Sequence, residues 1–248
     1  MWLRSEQRSI VLSVLAMLCA MVLSGCGDDS KKVKKGDTIE FGGHYWTVLE
    51  VQKGKALILS DKVIENRPYH SQFVAVTWES SDIRKHLNTV FLHSFNPIDR
   101  NRILDTKVVT NNNPWYGTLG GVATTDKIFL LSLEEMVQHF GDSSKLKNRP
   151  VFNFEETKRD FAGASKEFIS ALEHYKSDLS FYFKDQYNKS RIAYNKDGPA
   201  SSWWLRSPGN GATSAALVND DGNVRVDGHG VHDRSVGFRP ALWLNLEP

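Results

Sequence analysis

Two apolar runs flank a polar turn in Ala215-Ala-Leu-Val-Asn-Asp-Asp-Gly-Asn-Val-Arg-Val-Asp227. Asp-Gly between two such runs is the strongest short-range signal of a β-hairpin. We therefore predict antiparallel strands at residues 215–218 and 223–227 that turn at Asp221-Gly222. Further strand-like runs at residues 203–206 and 241–246 make the last third of the chain β-rich.

Upstream of this hairpin, strand-like and helical patterns are mixed. Strand-like runs occupy residues 38–41, 45–51, 56–60 and 127–131. A helix is predicted over residues 80–93, with Ser80 or Ser81 as its N-cap, because apolar residues recur there at the spacing of one helix face. These apolar residues are Ile83, Leu87, Val90 and Phe91. Ser132-Leu-Glu-Glu135 is a capping box that predicts a second helix, ending near Phe140.

Two longer stretches separate these elements. Residues 111–121 are rich in Asn and Gly, which predicts a long loop. Residues 155–187 are mostly helical in pattern, although Gly163 weakens the middle, and they predict a helical insertion near 150–187. The fold class that follows is α+β, with small antiparallel sheets, helices and long loops.

The N-terminal segment ends in Leu23-Ser24-Gly25-Cys26, which closes an apolar run and is followed at once by polar sequence. Arg4 and Arg8 precede the apolar residues 10–23, a run too short to span a bilayer. This arrangement predicts a bacterial lipoprotein signal over residues 1–25, with Cys26 as the lipidated first residue of the mature protein. An ordinary secretory signal or a permanent anchor helix are the alternatives.

The lipoprotein signal also predicts location and domain organisation. Lipid chains such as palmitate on Cys26 would hold the protein at a membrane of the bacterial cell envelope, with its domain outside the cytoplasm. Residues 26–36 form a polar tether, whose lysines either contact anionic headgroups or are simply solvated. Residues 37–248 then form a single globular domain.

Charge and cysteine content exclude several classes of function. Residues 1–25 hold two arginines and one glutamate, so their removal lowers the formal charge from +2 to +1. A surface this close to neutral gives no electrostatic case for nucleic acid. Cys19 leaves with the signal and Cys26 is acylated, so the mature domain has no thiol for a disulfide, a nucleophile or a zinc site. No motif for a cofactor stands out.

Four aromatic residues are candidates for ligand contact. Trp115 and Tyr116 lie in the Asn/Gly loop, where aromatic rings suit a shallow site for a sugar or peptide. A loop that folds back onto the domain is the equal alternative. Trp203 and Trp204 are adjacent in a strand and face opposite sides, so one must enter the core. The other either packs under the helical segment or sits in a groove.

Two arginines are the remaining candidates. Arg206 and Arg239 each follow apolar strand residues and precede Ser-Pro or Pro. A semi-buried arginine usually pairs with a carboxylate and fixes a loop. We therefore predict a structural role first, and a ligand-facing role second, for both residues.

Histidines and acids near the hairpin raise the question of metal or hydrolase chemistry. His229 and His232, beside Asp233, lie in turn and strand, where a spacing of three points side chains to opposite faces. His232, Asp233 and Ser235 are near-neighbours on one strand and cannot stack into a catalytic triad. Residues 219–223 are acidic but lack the EF-hand spacing, and a turn accounts for them. We therefore predict no metal site and no catalytic residue among them.

Four C-terminal motifs stand out, Trp203-Trp-Leu-Arg-Ser-Pro-Gly209, Ala216-Leu-Val218, Asp221-Gly-Asn-Val224 and Gly237-Phe-Arg-Pro-Ala-Leu-Trp-Leu244. They resemble the bacterial domain-of-unknown-function family 6273, and the resemblance covers essentially the whole mature sequence. The upstream motifs are Gly36-Asp-Thr-Ile-Glu-Phe-Gly42, Trp46-Thr-Val-Leu49, Leu57-Ile-Leu-Ser60, Trp78-Glu-Ser-Ser with Arg84 and Leu87-Asn88, and Asp126-Lys-Ile-Phe-Leu-Leu-Ser132. Residues 148–185 carry none of these motifs.

The C-terminal motifs are also distantly similar to the C-type-lectin-like fold shared with sulfatase-modifying factors. This resemblance implies a mixed α+β domain with irregular loops and a small antiparallel sheet. It carries no activity across, because formylglycine-generating enzymes need active-site cysteines and this domain has none. The Glu-Pro-Asn and Trp-Asn-Asp triplets of calcium-dependent sugar lectins are absent as well.

Three hypotheses of function follow. The first is a lipid-anchored, non-enzymatic domain that binds an extracellular glycan, a peptide or another envelope protein, and it rests on the lipidation signal, the thiol-free domain and the aromatic loops. The second is an envelope hydrolase or modifying enzyme with an Asp/His site that the sequence does not reveal. The third is a purely structural envelope lipoprotein, which an absence of pockets would favour.

Overall fold

The computed structural model describes residues 32–173 and 180–247 of the chain. The predicted signal, Cys26 and most of the tether lie outside these residues. The chain divides into two compact units, Met1–Val33 and Lys34–Pro248. Within the described residues, no helix is long and apolar enough to cross a bilayer.

Short strands dominate the described part of the chain. In chain order they are β1 (Thr38–Phe41), β2 (His44–Gln52), β3 (Lys55–Ser60), β4 (Lys62–Val63), β5 (Thr106–Val108), β6 (Thr124–Asp126), β7 (Tyr182–Phe183), β8 (Ala193–Asn195), β9 (Ala200–Ser201), β10 (Trp203–Pro208), β11 (Ser214–Val218), β12 (Val224–Gly230) and β13 (Ala241–Asn245).

The helices are also short. They are α1 (Asp82–His86), which continues through a π-helical turn (Leu87–Phe91) into α2 (Leu92–Ser94), then α3 (Pro97–Arg102), α4 (Leu133–Phe140), α5 (Phe154–Asp160), α6 (Lys166–Glu173) and α7 (Asn188–Arg191).

The strands of the described residues form two four-stranded sheets and two smaller ones. The first sheet has the order β1-β2-β3-β13, and the second has the order β10-β11-β12-β7. All pairs in both sheets are antiparallel. The three-stranded sheet β4-β8-β9 contains one parallel pair, β4 with β8. This arrangement confirms the predicted α+β class with small, mainly antiparallel sheets.

The hairpin at Asp221-Gly222 forms as predicted. Gly222 has φ of 81°, a backbone conformation that glycine adopts at no steric cost. The Asp221 carboxylate accepts hydrogen bonds from the backbone and side-chain nitrogens of Asn223 at 2.9 and 2.6 Å. The turn therefore uses the acidic side chain that had raised the question of calcium.

The helical prediction over residues 80–93 is confirmed in its start and in most of its buried face. Ser81 caps α1 by accepting a hydrogen bond from the Arg84 backbone N–H. Val90, however, is exposed, whereas Leu87 and Phe91 are buried. The π-helical turn changes the angular spacing of side chains, so Val90 leaves the apolar face that regular α-helical periodicity predicts.

Two other predictions are wrong in part. Residues 128–131 are buried and Lys127 is partly exposed, but residues 127–131 form no strand, because the Asn88 side chain bonds the backbone of Lys127 and Ile128 in place of a neighbouring strand. Phe129 forms an isolated bridge with Ala241 of β13, and the Leu131 backbone oxygen accepts a hydrogen bond from the Arg206 N–H of β10. In the predicted helical insertion, Phe183 lies in strand β7 instead of a helix. Residues 174–179 lie outside the described residues.

Strand β10 is buried along its whole length, and its polar groups organise the segments around it. The Arg206 guanidinium holds both carboxylate oxygens of Glu135, at 2.5 and 2.7 Å, and also donates to the backbone oxygens of Leu130 and Val109. Glu135 is at the same time the third residue of the α4 capping box with Ser132. One ion pair therefore fixes β10, the start of α4 and two irregular segments.

We expect Glu135→Ala to destabilise the protein by about 3 kcal/mol, because it leaves the Arg206 charge buried without its partner and removes half of a capping box. Chemical unfolding measures the change. Glu134→Ala is the matched control, since this neighbouring acid does not bind Arg206, and it should cost less than about 1 kcal/mol. Equal losses in the two variants would show that the ion pair does not stabilise the fold.

We expect Gly237→Ala to destabilise the protein by about 1–3 kcal/mol through overpacking. A methyl group at Gly237 would lie 2.2 Å from Cγ1 of Val63 and 2.9 Å from the Glu65 backbone oxygen. Gly211→Ala is the control, because a methyl group there meets nothing within 4 Å. The urea midpoint should fall for the first variant and stay near the wild-type value for the second.

Candidate functional site

The adjacent tryptophans of β10 are both part of the core. Trp203 and Trp204 are each 0% exposed. Their indole nitrogens donate to the backbone oxygens of Arg191 and Arg67, at 3.0 and 2.9 Å. Of the two alternatives for the second tryptophan, burial is the one that forms and the open groove is not, because both rings are enclosed by packed segments.

The loop aromatics fold back onto the domain. Trp115 donates through its indole nitrogen to the Leu146 backbone oxygen at 2.8 Å. The Arg149 guanidinium lies over the rings of both Trp115 and Tyr116, at 5.1 and 4.4 Å from the ring centroids. Trp115 and Tyr116 are half-buried, and they share no open groove with Trp203 or Trp204. Ligand contact by this loop stays a prediction.

Arg206 has the structural role that was predicted first. It is 2% exposed, and its two terminal nitrogens bind Glu135 and two backbone oxygens. Both terminal nitrogens already hold acceptors within the fold, and the ligand-facing role predicted second stays a prediction.

Arg191, a residue that the sequence did not mark, is also paired with an acid, although its Nε, like that of Arg206, has no partner among the described residues. Its side chain and that of Asp185 are both fully buried, and the two carboxylate oxygens lie 2.6 and 2.7 Å from Nη2 of Arg191. Nη1 also donates to the Gly222 backbone oxygen at 3.3 Å. Arg191 and Arg206 are thus each paired with a carboxylate, both oxygens of which contact the guanidinium.

Arg239 is the exception among these buried arginines. It is 5% exposed, and its Nε donates to the Ser60 backbone oxygen at 2.9 Å. Nη1 is buried and has no hydrogen-bond partner among the described residues. The negative charge of Asp61 acts to raise the pKa of Arg239. Among the described side chains, however, Asp61 and Arg239 form no ion pair within 4.0 Å. Burial lowers the pKa of Arg239 to about 10, so its charge remains at neutral pH.

The surroundings of Arg239 hold the guanidinium in place without neutralising it. Its central carbon lies 4.9 Å from the ring centroid of Trp203 and 5.8 Å from that of Phe140. Such aromatic contacts stabilise a cation through the faces of the rings. They leave the in-plane N–H groups, which recognise carboxylates and phosphates, available for other acceptors.

Arg239 borders a cavity of about 440 Å³, which we call the Arg239 cavity. The cavity lies between strand β2, the C-terminal end of α4, the region of α7 and the end of the tether. Its polar and aromatic lining includes Lys35, Thr47, Asp61, His139, Phe140 and Arg239. This volume is within the range of small-molecule sites, which combine apolar walls with a few converging polar groups.

The electrostatics of the Arg239 cavity favour an anion. Burial lowers the pKa of His139, and the nearby Lys35 lowers it further, although Glu50 and Glu135 act in the opposite direction. The Asp61 carboxylate accepts a short hydrogen bond of 2.5 Å from the Thr47 hydroxyl. A site with Arg239 and Lys35 against one engaged acid therefore has an unmatched positive charge.

The histidine and acid motifs near the C-terminus do not form a catalytic arrangement. Asp233 accepts hydrogen bonds from the Ser235 backbone and hydroxyl, and its other oxygen lies 3.2 Å from Nδ1 of His229. The serine thus bonds the acid and not the histidine, which is the reverse of a nucleophile–base pair. His232 instead packs edge-on against Phe73. Among the described residues, no three His, Cys, Asp or Glu side chains converge in a way that could hold a metal ion.

Most of the Arg239 cavity could not be found from the sequence. Arg239 was marked, but Lys35, Asp61 and His139 lie in separate segments that no motif connects. The one available signal was the family motif Gly237-Phe-Arg-Pro240, which places an arginine between buried residues.

The comparisons with known proteins identify a family and no closer relative. A family model described as "Domain of unknown function (DUF6273)" matches residues 53–246. No curated protein and no solved structure matches the chain. The similarity to the C-type-lectin-like fold therefore stays a prediction. The match spans most of the chain and includes β10, Arg239 and Asp61, and the chain belongs to the DUF6273 family.

Proposed function

We propose that this protein is a lipid-anchored lipoprotein of the bacterial cell envelope whose domain binds an anionic ligand without chemical change. The ligand would be part of an extracellular glycan, peptide or envelope protein. One observation carries the proposal: Arg239 is a buried cation at the edge of a cavity, and its Nη1 has no acceptor among the described residues.

The energetic argument rests on the cost of burying a charge. An arginine removed from water loses its hydration and needs a carboxylate or several oxygens in return. Arg191 and Arg206 have that compensation within the fold, whereas Arg239 has one backbone oxygen and two aromatic rings. An acidic group of a ligand would supply the missing acceptor, and a bidentate carboxylate fits the geometry of a guanidinium best.

The proposed anchor places the cavity near a membrane. Lys35 borders the Arg239 cavity and follows Cys26 by nine positions in the sequence. That length of chain spans at most about 30 Å when fully extended. Acylation of Cys26 would therefore confine the site to molecules present at the surface of that membrane.

An envelope hydrolase or modifying enzyme is the second candidate, because Asp61 and His139 border the same cavity. No hydrogen bond joins these two side chains within the described structure, and the Asp61 carboxylate is engaged by Thr47 instead. Conversion of an acidic glycan or peptide by the purified protein, lost in His139→Gln, would favour this candidate over simple binding.

We expect Cys26→Ser to abolish incorporation of radioactive palmitate when the full-length chain is produced in a bacterium, because the acylated thiol is removed. Cys19→Ser is the matched control, since Cys19 lies within the predicted signal and should not affect labelling. Unchanged labelling of Cys26→Ser would show that the chain is not a lipoprotein anchored at this residue.

We expect Arg239→Met to change the free energy of unfolding by no more than about 1 kcal/mol, because it removes a buried charge that has no acid partner. Arg206→Met, which leaves Glu135 without its partner, should cost about 3 kcal/mol. Thermal unfolding of the purified full-length protein measures both changes.

The same experiment tests binding. Acidic sugars and acidic dipeptides should raise the melting temperature of the wild-type protein but not that of Arg239→Met. If these compounds raise both melting temperatures equally, Arg239 is not the anion-binding group and the proposal is wrong.

A further inference from the structure

A second cavity of about 390 Å³ lies beside the first, and we call it the Tyr45 cavity. Its lining includes His44, Tyr45, Lys62, Val63, Lys196 and Asp197. It therefore combines rings and an aliphatic wall with two cations and one acid. None of these residues belongs to the Arg239 cavity.

The linings of the two cavities adjoin along β2 and at the chain that follows β3, although His44, which borders the Tyr45 cavity, packs against Trp46 on the other side of β2. Tyr45 and Thr47 lie two residues apart on β2, so their side chains point to the same face with a spacing of about 7 Å. Trp46, between them, points to the opposite face and is buried in the core. Asp61 borders the Arg239 cavity, and the next residue, Lys62, borders the Tyr45 cavity. A ligand could therefore extend from one cavity into the other.

The electrostatics of the Tyr45 cavity repeat those of the Arg239 cavity. Burial and the nearby Lys196 lower the pKa of His44. Burial also lowers the pKa of His139, where Lys35 acts in the same direction and two glutamates act against it. Lys62 lies over the ring of Tyr194, 5.5 Å from its centroid. Each cavity thus has cations beside a partly buried histidine, which suits an acidic group at both ends of a ligand.

The remaining groups suit a sugar better than a peptide. Tyr45 is 63% exposed, so its ring is free to cover an apolar face of a ligand. Asp61 and Asp197 can accept hydrogen bonds from hydroxyl groups. A peptide that adds a strand needs an open sheet edge, but β2 lies between β1 and β3. Strand β4 has β8 on one side, and on the other side Ile64 donates to the Phe238 backbone oxygen.

We propose that the Arg239 cavity and the Tyr45 cavity are adjacent subsites for one acidic oligosaccharide, with a carboxylate at Arg239 and a second acidic group at Lys62 and Lys196. This inference rests on the proposed function of the Arg239 cavity and names its ligand class. Asp61, between the subsites, accepts hydrogen bonds from the sugar hydroxyls.

The test uses galacturonic acid and its oligomers of two to four sugars as probes, with calorimetry on the purified full-length protein. Because linked groups that fill two subsites gain effective concentration, the tetramer should bind about tenfold or more tightly than the monomer. The Lys62→Gln/Lys196→Gln variant should bind the tetramer only as tightly as the monomer. The control is Lys85→Gln/Lys107→Gln, which removes the same charge from exposed lysines outside both cavities and should leave binding unchanged.

The outcomes separate the inference from the proposed function. If the monomer and the tetramer bind equally, and both need Arg239, the second subsite is wrong while the anion site stands. If a tetraglutamate peptide binds and the acidic sugars do not, the oligosaccharide is wrong and the anion site again stands. If neither compound binds, both proposals fall. A fully methyl-esterified tetramer that binds as tightly as the acid would also overturn both, because the ester has no charge.

Discussion

A charged guanidinium buried in the middle of β10 is the constraint on which the rest of the fold depends. Arg206 cannot remain in the interior without acceptors, because an unpaired buried charge costs several kcal/mol. The fold supplies them from three segments: Glu135 at the start of α4, and the backbone oxygens of Leu130 and Val109. The backbone oxygen of Arg206 in turn accepts from the hydroxyl of Tyr69. Segments with little secondary structure are thereby held against one strand by polar contacts, which a domain without disulfides needs.

The same need for acceptors distinguishes Arg239, beside its cavity, from the other buried arginines. The fold places a carboxylate in contact with Arg191 and with Arg206, so it can pair buried arginines with acids. At Arg239 it instead supplies aromatic faces and one backbone oxygen. The acid that acts on the pKa of Arg239 is Asp61, which accepts a hydrogen bond from Thr47. A buried charge that lacks an acid partner lowers the stability of the fold, and an acidic ligand bound in the cavity would offset that loss. Sites of this kind trade stability for function.

Local signals made the framework of the fold predictable. The Asp221-Gly222 turn and the Ser132 capping box are decided by residues within a few positions of each other, so both could be predicted from the sequence. Val90 and residues 127–131 were predicted wrongly for a different reason. A π-helical turn rotates Val90 outward, and the side chain of Asn88, distant in sequence, replaces strand pairing for residues 127–131. Tertiary contacts decide these features, and no local pattern encodes them.

The candidate site was the least predictable part for the same reason. Whether Arg206 or Arg239 faces a ligand depends on where the nearest carboxylate lies in space, and the sequence around each arginine is similar. Backbone contacts fix Arg239 independently of any ligand: Ser60 donates to the Pro240 backbone oxygen and Trp204 donates to that of Gly237. The guanidinium is therefore held at the cavity before an acid arrives. Because a preorganised group loses little conformational entropy on binding, most of the interaction with the acid remains as affinity. A surface lysine such as Lys35 lacks this advantage, so under the proposed function Arg239 would set where the acidic group binds and Lys35 would add only to the surrounding positive field.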